Sequence, residues 1–449
     1  MDTCYAPGPG STLARHPALL AGSFSLDCDS MNAPDSAFPF DEALEAAARR
    51  LEPRVIAWRR EIHQHPELGN REFRTSKLVA DHLRSLGIEV REKVAHTGVI
   101  GVLKGARPGP VVALRADMDA LPVTEEVDVP FKSTVRTEWN GVSCGVMHAC
   151  GHDAHTSILM GVAELLAGMR ERIPGTVKFL FQPAEEGAPG DEGGGARMMI
   201  EQGCMEAPKV GAIFGLHVTS IHPTGKLGYR AGPLMASSDE LKVFLRGSQT
   251  HAAMPWRGID PIVVGSQVVM GLQTIVSRRM DITHEPSVVT VGVFHGGNRG
   301  NIIPDEVKLE GTIRSFDETQ RGEIHEHVKR ITEMIAAAGG AQAKVAIRRG
   351  YDVVVNDPAL THWAVPTLER IAGAENVGVV DKVCGAEDFS FYQKVVPGMF
   401  IRVGCTPPER DARTAAPNHS PRLFVDENCL KLGMRTLSAL ALDWLSANA

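Results

Sequence analysis

Short apolar runs and helix-period stretches take turns along most of this chain, which restricts it to folds that layer helices on a sheet. Apolar residues recur at Leu44, Ala48, Leu51, Val55, Trp58 and Ile62, the spacing of a helix with one buried face, and Pro53 is a candidate kink. A second helix pattern at Leu78, Val79, Leu83 and Leu86 stops at Gly87, and apolar runs follow at 99–103 and 111–114. A helix over 156–167, a strand over 177–181, a helix over 196–201 and a strand over 210–216 continue the series. The pattern predicts a mainly parallel, helix-covered sheet, in which ligands gather at the carboxyl ends of strands.

After Gly232 the order changes. Strands over 241–245, 288–294, 307–313 and 343–347, with helices over 261–277 and 323–338, give a β-α-β-β-α-β series, the order of a small two-layer α+β sandwich. From about Tyr351 the first style returns, with a helix over 361–372, a strand over 399–403 and a helix over 427–445. The fold class is therefore α/β with an insertion: 41–235 and 349–449 form one domain, interrupted by a second over 236–348. At 449 residues the chain exceeds what one hydrophobic core usually organises, as two domains require. Residues 1–40 mix Pro, Gly, Ser and Asp without a period and are expected to be poorly ordered, with Met31 an alternative start.

A formal net charge of −7 without a basic stripe argues against nucleic acid or an anionic membrane as partner and leaves a small molecule. No apolar stretch is long enough to span a bilayer, and the N-terminus lacks a basic segment followed by an apolar one, so the expected location is cytoplasmic. Eight cysteines without framework spacing read as reduced thiols.

Cys150 alone has polar company, in Met147-His148-Ala149-Cys150-Gly151-His152-Asp153, with His155 beyond. A lone Cys-x-His is more often a buried Cys beside a surface His, but here other clusters join it. Glu185 and Glu186 follow an apolar run in Phe181-Gln182-Pro183-Ala184-Glu185-Glu186-Gly187. Neighbouring side chains diverge, so one carboxylate can take a metal ion while the other activates water. Asp117 and Asp119 follow a strand and could bind metal or orient a ligand histidine, with Asp119 the better candidate for orientation. His217, in Gly215-Leu216-His217-Val218, and His419, in Asn418-His419-Ser420, are weak singly. In the insertion, His251 stands on a Gly- and Pro-bounded loop and could stabilise an oxyanion. Asn301 and Arg314 could grip a substrate carboxylate; a turn Asn and a surface Arg are equally open readings.

Taken together, these motifs and Gly385-Ala386-Glu387-Asp388-Phe389 resemble the aminoacylase and carboxypeptidase family of two-metal peptidases, peptidase family M20. They are most similar to its amidohydrolase branch of hippurate hydrolases and indole-acetyl-amino-acid hydrolases. The likeness runs from about Ile62-His63-Gln64-His65-Pro66-Glu67 to His419. It implies a zinc-peptidase-like catalytic domain with an inserted lid that mediates dimerisation, giving a homodimer or higher homo-oligomer. By the same resemblance Cys150, His152, Glu186, His217 and His419 hold two divalent ions (Mn, Zn, Co or Ni), Glu185 is the general base and Asp119 the supporting acid. His251 matches the lid histidine that reaches a partner subunit's site. Where other branches place a metal-binding His, this chain has Asp117. The implied activity is metal-dependent hydrolysis of N-acyl amino acids. A dipeptidase or a diamino-acid deacetylase is the alternative on the same centre. A non-catalytic metal-dependent binder is disfavoured, because base, ligands and lid histidine are all present.

Overall fold

The computed structural model describes residues 41–449 apart from 140 and 191. The expectations for residues 1–40, including the start at Met31, lie outside the described residues.

Eight strands form the larger sheet, in the spatial order Glu89–Val94, Gly98–Lys104, Pro174–Gln182, Arg107–Asp117, Ala212–Pro223, Gly398–Thr406, Leu227–Tyr229 and Val377–Val379. The four from Pro174–Gln182 to Gly398–Thr406 are parallel. Gly98–Lys104 runs antiparallel to both its neighbours, as Leu227–Tyr229 does to Gly398–Thr406. The sheet is thus mixed, with a parallel centre, where the sequence pattern predicts a mainly parallel one. Only residues 95–97 separate the first two strands, too few for the crossover that parallel pairing requires. The central strands are buried on both faces, as near-continuous apolar runs such as Pro174–Gln182 dictate.

Helix Asp41–Gln64 runs through Pro53 and buries the predicted stripe of Leu44, Ala48, Leu51, Val55 and Ile62. It packs with Asn428–Ala447 against His152–Ala167, which is buried on nearly every side. Their closeness rests on Gly161: a Cβ there would lie 2.4 Å from Met434 Sδ and 2.7 Å from Val55 Cγ2.

The smaller sheet has the order Ser287–Gly296, Glu306–Ser315, Asp239–Arg246 and Gln342–Arg349, antiparallel throughout. Helices Pro261–Arg278 and Glu318–Ala338 cover it, and Leu241, Val243 and Leu245 meet Val264, Val268, Leu272, Ile324 and Val328 in a core of their own. Asp260 and Asp317 cap these helices by accepting backbone N–H groups. The second cap explains why that helix starts at Glu318, before the apolar periodicity begins.

Candidate metal centre

Strand Arg107–Asp117 ends in register with Gln182, so the segments that carry Asp119 and the Glu185–Glu186 pair leave the sheet side by side. The Glu186 N–H donates to Asp119 Oδ2 at 2.9 Å and locks the two segments together. Gly151, at φ 92, makes the tight turn that sets Cys150 just ahead of His152, the first residue of its helix. Ala184 (φ 50) and His419 (φ 71) occupy the left-handed region that L side chains avoid. Each is held there: Glu72 Oε1 accepts the Ala184 N–H at 2.8 Å, and the Ala149 carbonyl accepts the His419 N–H at 2.6 Å.

Two donor groups meet at Cys150. Its Sγ lies 3.3 Å from His217 Nε2 and 3.2 Å from His419 Nε2, and His419 Nε2 lies 3.1 Å from Glu186 Oε1. His152 Nε2 stands 3.9 Å from Glu186 Oε1 and 4.0 Å from Glu185 Oε2. Two of these histidines have fixed tautomers. His217 donates from Nδ1 to the Val218 carbonyl at 2.7 Å, and His152 presents Nδ1 to Asp119 Oδ1 at 3.3 Å, so each turns Nε2 inward. Cys150, His152 and His217 are buried, whereas the His419 side chain is 57% exposed and marks the open side.

Behind this cluster Arg115, fully buried, donates to Asp117 (2.5 Å), Glu387 (2.9 Å), Asp388 (2.9 Å) and Gln182 (2.9 Å). Even so, Asp117, Asp119, Glu185, Glu186, Glu387 and Asp388 outnumber the nearby guanidiniums. Burial, then Glu387, Glu186 and Asp388, push the Glu185 carboxyl well above the usual range. Burial and then Asp119 raise Glu72 to about 8. Burial, then Glu186, Glu185 and Asp117, push the Cys150 thiol up. Against the cost of burial, Asp117 and Asp119 lift His152 to about 10. Burial holds the His217 pKa well below the usual range and keeps it neutral, the form that can ligate.

These residues fit divalent cations. His152 Nε2 is buried without a hydrogen-bond partner, and a cation would satisfy it. Cys150, His152 and His217 form one set of converging donors, and Cys150, Glu186 and His419 another. A thiolate, imidazoles and a carboxylate suit Zn, Mn, Co or Ni.

The structure brings all five expected ligands together with Glu185 and Asp119. It does not bring in His251, Asn301 or Arg314: among the described residues no hydrogen bond or ion pair joins them to the cluster. His251 is exposed and close to Asn301, whose carbonyl accepts the Ala252 N–H at 3.0 Å; Arg314 is half-buried. Sequence reasoning passed over Glu72, Arg115, Tyr351 and Arg402, and named Glu387 and Asp388 only as part of a family motif. The Tyr351 hydroxyl donates to the Glu185 carbonyl at 2.5 Å. Arg115 and Arg402 carried a signal, a charge inside an otherwise apolar strand; Glu72 and Tyr351 carried none.

Residues 113–443 match the sequence model of peptidase family M20/M25/M40. The chain belongs to that family. It is 41% identical over 406 residues to thermostable carboxypeptidase 2 of Saccharolobus solfataricus, covering 90% of this chain and 98% of the relative. It is 38% identical to the N-acetylcysteine deacetylase of Bacillus subtilis, covering 88% and 98%. Among solved structures it is similar to the Bacillus subtilis YXEP protein, a dinuclear metal-binding peptidase of the M20 family, at TM-score 0.73 and 35% identity, with 89% and 99% covered. This M20 hydrolase, acting on amides, has the α/β architecture of its dinuclear relatives.

Proposed function

We propose that this M20 hydrolase cleaves N-acyl amino acids of the hippurate type to a carboxylic acid and a free amino acid. The observation that carries the reading is Glu185: a buried carboxylate at the rim of the donor cluster, 4.0 Å from His152 Nε2, whose own oxygens accept no hydrogen bond from the described residues. Two divalent ions held by Cys150, His152, Glu186, His217 and His419 would polarise the amide carbonyl and make water acidic enough to attack it at neutral pH. Glu185 takes the proton of the attacking water and hands it to the departing amine. Asp119 keeps His152 in its ligating tautomer. The similarity to an N-acetylcysteine deacetylase supports an N-acyl amino acid as substrate.

In this reading residues 41–235 and 349–449 form the catalytic domain and 236–348 a lid through which a homodimer forms. His251 then serves the partner subunit's site as oxyanion donor, which accords with its exposure here. Asn301 and Arg314 face the substrate carboxylate. A cytoplasmic location accords with the free thiols of Cys144, Cys150, Cys204, Cys384, Cys405 and Cys429.

A carboxypeptidase at 41% identity favours a second reading, a peptidase using the same centre. The test is the purified, metal-stripped chain on hippurate, N-acetyl amino acids and dipeptides, with and without added Mn or Zn. Metal-restored release of glycine from hippurate supports the proposal; metal-restored cleavage of dipeptides alone moves the assignment to the second reading.

A further inference from the structure

Arg402 lies in strand Gly398–Thr406, every residue of which is buried. Its partner across the parallel pairing is His217. Paired residues on adjacent strands, about 4.8 Å apart, point to the same face, so this guanidinium leaves the sheet beside a candidate metal ligand. Both flank Phe400: the His217 ring meets it edge-on with centroids 6.2 Å apart, and the Arg402 guanidinium carbon is 5.9 Å from its centroid.

Arg402 is only 7% exposed, yet among the described residues its side chain makes one hydrogen bond, from Nη2 to Met235 Sδ at 2.9 Å. No carboxylate pairs with it among the described residues. The other buried guanidiniums differ: Arg59 has Asp153 and Glu427, Arg115 has Asp117, Glu387 and Asp388, and Arg321 has Asp239, Glu318 and Asp352. A thioether is a weak acceptor, and burying a guanidinium with so little compensation is costly, so the position serves something other than stability. Burial lowers its pKa, and Glu387, Cys150 and Glu185 oppose that, which sets the charge within the field of the cleavage centre.

Arg314 is a second cation of this kind. Arg314, half-buried, has no ion-pair partner among the described residues, and burial lowers its pKa. Met235, which accepts from Arg402, forms a bridge with Val383, the residue before Cys384.

We propose that Arg402 recognises the carboxylate on the amino-acid half of the substrate, with its free N–H donors forming the planar fork that carboxylates fit. This rests on the N-acyl amino acid reading and adds a specificity residue that selects amides of amino acids over neutral amides.

The test compares hippurate with N-benzoylglycinamide, its neutral counterpart, on the metal-loaded full-length wild type, Arg402→Met and Arg402→Lys, following benzoate release and measuring bound metal. Arg402→Met should lower kcat/KM on hippurate by roughly 10- to 100-fold, mostly through KM, the scale of a lost charge-assisted hydrogen bond. The loss on the carboxamide should be far smaller, bound metal should be retained, and Arg402→Lys should recover part of the discrimination. Equal losses on both substrates, or loss of metal, would make Arg402 a structural counter-charge and overturn the proposal. If the wild type cleaves dipeptides but no N-acyl amino acid, the functional reading fails, and the same ratio on a dipeptide and its amide still decides Arg402. If the wild type cleaves only neutral amides, both fail.

Discussion

His155 donates from Nδ1 to Asp117 Oδ1 at 2.6 Å and accepts the Val218 backbone N–H at Nε2, 2.8 Å away. Both ring nitrogens are occupied, so His155 is a brace and not a ligand, although it follows His152 by three residues. Asp117 is equally committed, between His155 and Arg115. His155→Asn should therefore keep both bound ions, whereas His152→Asn should lose metal; elemental analysis of the two purified variants separates them.

Cys150 is the one residue common to the set with His152 and His217 and the set with Glu186 and His419. Cys150→Ala should lower bound metal at both positions, and His419→Ala at one. The check is metal content per chain after dialysis against excess Mn or Zn; identical stoichiometry in the two variants would contradict a shared thiolate.

Glu185→Gln removes the proposed base and spares every proposed ligand. Bound metal should stay at the wild-type level while kcat falls by roughly 100- to 10,000-fold, the usual scale for a general base. Substrate turnover and elemental analysis on the same sample check it, and full activity would return Glu185 to a structural role.

How legible this arrangement was in the sequence depended on what each residue's neighbours are. Cys150, His152, Glu185 and Glu186 stand at ends or turns of strongly patterned elements and His217 inside the strand Ala212–Pro223, which continues past the expected end at 216, so the expected α/β order carried them close together. His419 has no such element; only its place in a family motif marked it. The antiparallel direction of Gly98–Lys104 was invisible to apolar patterning, because connection length sets direction. Short polar strands such as Arg136–Trp139 and Val142–Gly145 have no apolar alternation to read. Glu72 and Tyr351 act through long-range contacts, to the Ala184 N–H and the Glu185 carbonyl, that no local pattern encodes.

The insertion carries its own buried electrostatic anchor, which predicts how it responds to acid. Asp239, 2% exposed, accepts from Arg321 Nε at 2.9 Å and meets His325 Nε2 at 2.6 Å. Burial opposes its charge, but Arg321 and His325 hold its pKa at about 2, below the ordinary value of 3.8. A depressed carboxylate pKa stabilises the fold fully above the unfolded value and progressively less as pH falls through the folded one. The contribution, about 2 kcal/mol, is therefore present above about pH 4 and lost between about pH 4 and 2. Asp239→Asn should remove that dependence and leave Arg321 with only the more exposed Glu318 and Asp352, destabilising the insertion by roughly 3–5 kcal/mol at neutral pH. Hydrogen exchange of strand Asp239–Arg246 from pH 7 to the acid limit of folding reads both effects. An unchanged neutral-pH protection in the variant would show that Asp239 does not anchor this sheet.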